Sequence, residues 1–223
     1  MLHVLSANIP KHSALNLYHG FQYAEHINYP LTCHATILWS RVAGYPKTAT
    51  IEEQSSFAFQ KMDKLKRRFS DFCRYRSTPN HLAYVLENPL HSYTSNLDKK
   101  VHAHIACHVP VDHHDDFTAS LQDWVFDGQV EPRNPTAVKV MRHRDHRTVM
   151  RYLLKSSDPS AVVTLADGDT ISLQELTLRA APAVAVDPST WDQGLIHGKR
   201  CGLSRQLDVA ARSRAGFSPV LHQ

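Results

Sequence analysis

Glycine is scarce in this chain, 8 residues in 223, and no stretch approaches the roughly 18 consecutive apolar residues of a membrane span. The opening segment MLHVLSANIPKHSALNLYHG has neither the basic flank nor the apolar block of a signal peptide, so a cytoplasmic protein without membrane contact is expected. Cysteine is sparse and scattered: Cys33, Cys73, Cys107 and Cys201 form no Cys-x-x-Cys pair, which excludes a paired-thiol zinc or redox motif and predicts reduced thiols. A Gly-x-Ser-x-Gly elbow is missing, which leaves a serine hydrolase little support. So is a Gly-x-x-x-x-Gly-Lys loop, which excludes a helicase motor of that type within the chain. Neither charge sign dominates: 25 Lys and Arg stand against 21 Asp and Glu, a net +4 that permits a polyanionic partner without requiring one. The one excess is histidine, with 16 residues, and imidazoles are metal ligands and proton carriers. At 42% hydrophobic and 21% charged residues, the chain can build one compact core with an appendage.

The pattern divides into an arm over 1–28 with one short helix, a core over 29–158, and a less regular, basic extension over 159–223. Within the core, 31–39 (LTCHATILW) reads as a strand, β-branched and aromatic and preceded by Pro30. A long helix follows from Thr50, with Glu52 and Glu53 in its first turn and an apolar stripe of Phe57, Met62, Leu65, Phe69 and Phe72. Strands fit 81–88 and 101–109, joined by a polar loop over 89–100. Asp112 is a candidate N-cap for a helix to about Phe126, which Gly128 would stop. A strand over 136–142 and a short helix over 145–156 complete the core. The order β-α-β-β-α-β-α begins with the split βαβ plan, so the expected class is α+β: a ferredoxin-like antiparallel sheet with helices on one face, plus a C-terminal extension. In that plan the first and third strands are central neighbours.

Three groups of residues could carry chemistry. His102 and His104, one residue apart on a strand, share a face and stand about 6.6 Å apart at ordinary rise, close enough to converge on one divalent ion. His108 shares the face but lies about 13 Å beyond His104. Antiparallel pairing can set Glu87 beside the pair, and two imidazoles with one carboxylate suit Mg²⁺ or Mn²⁺. The plainer alternative is a chance His-x-His with a solvated strand-end carboxylate. On the short helix, Val149, Met150, Leu153 and Leu154 form the docking stripe, while Tyr152 and Lys155 share the opposite face, a nucleophile and an ammonium suited to phosphate. There the alternative is a half-exposed Tyr beside a solvated Lys. Arg147 and Arg151 around that helix, with Lys199 and Arg200 in the basic extension, are candidate nucleic-acid contacts.

Together these residues resemble the HUH endonucleases, the rolling-circle replication initiators and their relatives. His102-Ala103-His104 matches the motif of two His around a hydrophobic residue. Leu31-Thr32-Cys33-His34-Ala35-Thr36-Ile37 is similar to the family's first motif, and Tyr152-Leu153-Leu154-Lys155 to its catalytic Tyr helix of the single-tyrosine group. The resemblance spans about residues 28–157. It implies site-specific nicking and strand transfer on single-stranded DNA. Tyr152 would form a 5′-phosphotyrosyl adduct with a free 3′-OH, aided by Lys155 and by a divalent ion on His102, His104 and Glu87. It also implies a host helicase as a possible partner. A transposase or a conjugative relaxase would use the same chemistry, and a ferredoxin-like nucleic-acid-binding protein without catalysis is the alternative from another class.

Overall fold

The computed structural model describes residues 5–89, 100–127, 133–165, 167–179 and 194–219. After the short strand β1 (Leu5–Ser6) comes a helix α1 (Lys11–His26), then β2 (Cys33–Leu38), α2 (Ile51–Tyr75), β3 (Leu82–Glu87), β4 (His102–Cys107), α3 (His114–Phe126), β5 (Val138–Arg142) and α4 (His146–Leu154). The C-terminal part holds β6 (Val162–Thr164), β7 (Thr170–Ser172), α5 (Leu173–Arg179), β8 (Ile196–His197), β9 (Cys201–Leu203) and α6 (Val209–Arg214). The main sheet is antiparallel in the order β5-β2-β4-β3-β9, so β2 and β4 are the central neighbours of an α+β, ferredoxin-like arrangement.

Strand alternation divides the sheet into two faces. Ala35 and Ile37 of β2, Tyr84 and Leu86 of β3, and Ala103 and Ile105 of β4 share a core with Met62, Leu65, Phe69 and Phe72 of α2 and Phe117 and Leu121 of α3. α2 is held at its start by a capping box: Glu53 N donates to Thr50 Oγ1 at 3.3 Å, and Thr50 N donates to Glu53 Oε2 at 3.0 Å. α3 starts differently from the expected Asp112 cap. A short 3₁₀ turn over Val111–His113 precedes it, and His113 occupies the cap position without a side-chain bond. Its end is set by Asp127 in the left-handed region, φ 50, while Gly128 lies outside the described residues.

The second face is covered as well, which the expectation of helices on one face omitted. Ala83, Val85 and Ala106 pack with Leu17, Phe21 and Ala24 of α1 and with Val149, Leu153 and Leu154 of α4. The segment read as an arm thus contributes a 16-residue helix to the core. The extension returns to the sheet too: β9 pairs with β3, setting Gly202 against Tyr84. Much of the loop over 89–100 lies outside the described residues.

Candidate metal centre and tyrosine

The second face becomes polar at one end of the sheet. Glu87 pairs with His102 in register, and Val85 with His104, so alternation turns Glu87, His102 and His104 to the same side. All three are buried, with Glu87 1% exposed. The two imidazoles meet through their Nε2 atoms at 3.1 Å. Glu87 Oε2 lies 3.5 Å from His102 Nε2 and 3.3 Å from His104 Nε2. His102 Nδ1–H donates to the Lys100 carbonyl at 3.0 Å, which leaves its Nε2 with a lone pair. His104 Nδ1 lies 3.2 Å from Thr36 Oγ1 and 3.3 Å from His34 Nε2.

Two imidazole nitrogens and a carboxylate oxygen therefore converge, with donor atoms within 4.8 Å of one another. Glu87 Oε1 is buried without a hydrogen-bond partner. A donor set of two imidazole nitrogens and one carboxylate in this arrangement could hold a metal ion. Burial pushes His104 down to about 3, against the raising influence of Glu87, and so keeps it neutral, the form that ligates. Burial also pulls against ionisation of Glu87. The Lys155 ammonium overcomes this and holds the carboxyl well below its usual range.

Lys155 is not on a solvated helix face. Its Nζ is 2.9 Å from Glu87 Oε2, and its side chain is 16% exposed. Burial would lower its pKa, but the Glu87 carboxylate and Tyr152 raise it above the ordinary lysine value. The residue follows the last helical position of α4, and its four-carbon stem carries the charge around the helix border to the sheet. The same ammonium lies 4.1 Å from the centroid of the Tyr152 ring. Tyr152 is 43% exposed, and its ring packs against His104 at 4.7 Å and His34 at 5.0 Å. The sequence-read residues Glu87, His102, His104, Tyr152 and Lys155 thus form one cluster.

His34, buried at 3% exposure on central strand β2, is not among the site residues expected from the sequence. Burial pushes it down to about 4. The available signal was the alternation of His34 and Thr36 on a strand expected to neighbour the His pair, but the register that joins them was not legible.

The basic residues divide. Arg200, expected to contact nucleic acid, is 2% exposed, donates to the Ala7 carbonyl and to the Gly194 carbonyl at 2.8 Å, and is structural. Lys199 is exposed, at the border of a groove also lined by Glu52, Glu53 and His197. Arg147 is exposed, 3.9 Å from Glu25, and Arg151 is half-buried beside Tyr152. Among the described residues no helix is long and apolar enough to cross a membrane. Comparison with protein-family models, curated proteins and solved structures finds no match for this chain.

Proposed function

We propose that this chain is a metal-dependent, site-specific endonuclease of single-stranded DNA that nicks and transfers strands through a 5′-phosphotyrosyl intermediate in rolling-circle replication. The observation that carries the reading is the position of Lys155, whose one ammonium touches both the Tyr152 ring and the buried Glu87 carboxylate of the donor set. Nucleophile and metal ligands, far apart in sequence, thereby border one site. Bound Mg²⁺ or Mn²⁺ supplies Lewis-acid polarisation of a phosphate oxygen. Tyr152 Oη forms the bond to phosphorus as the bond to the 3′ oxygen breaks; the phenolic proton leaves to solvent, which reaches the half-exposed ring, and the departing 3′ oxygen takes up a proton from solvent as the free 3′-OH. Lys155, held protonated by Glu87, is not the base; it stabilises negative charge developing on the phenolic oxygen and the phosphate. Arg147 and Arg151, on the helix of Tyr152, supply further phosphate contacts, and strand separation falls to a separate host helicase.

Incubation with a library of single-stranded oligonucleotides and Mn²⁺, followed by a denaturing gel, should show a covalent adduct that chelation prevents. Tyr152→Phe should keep the fold and Mn²⁺ binding but form no adduct. DNA binding without any adduct in the unmodified chain would leave the non-catalytic reading, and an adduct surviving in Tyr152→Phe would assign the nucleophile elsewhere.

A further inference from the structure

His34 has no place in the reading above, yet it touches both halves of the site. In the antiparallel β2–β4 pair Thr36 stands opposite His104, so His34, two residues along, lies diagonally across on the same face. A neutral imidazole carries one N–H. With the proton on Nε2, His104 would donate to the His102 Nε2 lone pair at 3.1 Å or to Glu87 Oε2 at 3.3 Å and have no lone pair for an ion there. With the proton on Nδ1, Nε2 is a ligand. The groups around Nδ1 therefore govern metal binding, and they are Thr36 Oγ1 at 3.2 Å and His34 Nε2 at 3.3 Å. A hydroxyl rotates and can donate or accept, so it does not select a tautomer. A ring nitrogen accepts in one tautomer only, and the His34 ring is wedged between His104, Tyr152 and His143, with centroids 5.4, 5.0 and 5.9 Å away.

We infer that His34 is a positioning residue of the metal centre: with its own proton on Nδ1, its Nε2 accepts the Nδ1 proton of His104 and so turns the His104 Nε2 lone pair toward a divalent ion. The inference rests on the metal-centre part of the proposed function and not on tyrosyl transfer. It also gives the ring a second task, since the imidazole that orients His104 is a wall on which Tyr152 packs.

The test is Mn²⁺ calorimetry on the full chain and on His34→Gln, His34→Asn and Thr36→Val, with the melting temperature of each metal-free chain. A glutamine carbonyl reaches the position of Nε2, whereas an asparagine amide ends near Nδ1. Glutamine should hold Mn²⁺ nearly as well as histidine, while asparagine weakens it about 10–100-fold, the usual cost of losing a group that orients a ligand. The melting temperatures of the two variants should agree, as a purely structural role would not separate them by reach. Asparagine binding as tightly as histidine, glutamine binding as weakly as asparagine, or Thr36→Val costing as much as asparagine would each overturn the inference. If asparagine prevents folding, glutamine decides alone: affinity kept supports the inference and affinity lost ends it. Failure of the unmodified chain to bind Mn²⁺ would remove the metal centre itself, whereas Mn²⁺ binding without a DNA adduct would remove only the nuclease reading.

Discussion

Lys155 and Glu87 hold each other in their charged forms inside the fold, 2.9 Å apart with the carboxylate 1% exposed. Removing one partner of a buried pair strands the other, and such losses cost about 3–5 kcal/mol. Lys155→Met should therefore destabilise the metal-free chain by roughly 3 kcal/mol, and adding Glu87→Gln should recover part of that, because no uncompensated charge remains. Urea unfolding of both single variants and the double variant measures the coupling. An unchanged midpoint for Lys155→Met would mean that the ammonium does not support the carboxylate. Surface behaviour was the expectation from the helical wheel, which gives the angle of a side chain but not its reach. The histidine pair was legible, because one-residue spacing on β4 fixes its face through parity, whereas Glu87 was a candidate that antiparallel pairing could bring alongside and that the β3–β4 register does bring there. His34 depends on β2 pairing with a strand some seventy residues away, and that register has no local signature.

Elements were legible in proportion to their local signals. α2 announces itself by an apolar stripe and by Glu52 and Glu53 in its first turn, and the structure adds a capping box between Thr50 and Glu53. β9 is three residues long, and its pairing with β3 depends on close backbone approach rather than on side-chain pattern. A Cβ at Gly202 would stand 2.8 Å from Tyr84 Cε1 and 3.2 Å from Tyr84 Oη, and that ring is buried in the α2 core, with little room to withdraw. Gly202→Ala should therefore cost about 1–3 kcal/mol, the range for an overpacked core, measured by urea unfolding. Gly20→Ala meets only the methyl end of Leu203, at 2.7 Å, a flexible side chain, and should be milder. Equal stability of the two variants would show that β9 can move off β3 without loss. The N-terminal helix and the C-terminal strand carry no local signature like that of α2: α1 docks on α4 and β9 pairs with β3, partners far away in sequence.

For the whole molecule, five histidines are buried among the described residues, and burial pushes the pKa of three of them, His34, His81 and His104, down, which bears on how the fold responds to acid. His81 begins the sheet at the end remote from Glu87. Burial and, after it, the neighbouring His108 push it down to about 4, against a hydrogen bond to the Tyr29 backbone. The rings of Tyr29 and His81 are edge to face at 5.7 Å, and Tyr29 meets His108 in the same way at 5.2 Å. A histidine whose folded pKa lies below the unfolded value, about 6.5, binds its proton more readily in the unfolded chain. Its contribution to stability is complete above about 6.5 and is lost as pH falls from there through about 4. Glu87 acts in the same direction at lower pH, since a depressed carboxyl gives stability above its unfolded pKa that disappears on acidification. Unfolding free energies from urea titrations should therefore be level at pH 7 to 8 and fall steadily through pH 6 and 5. His81→Phe removes one of the protons taken up on unfolding, so the slope in that window should drop by at most about 1.4 kcal/mol per pH unit. The comparison is made within the His81→Phe series across pH, so that any change in packing shifts the whole curve and leaves the slope to report the proton. An identical slope in the two chains would show that His81 titrates alike in the folded and unfolded states, and the acid sensitivity would then belong to other imidazoles.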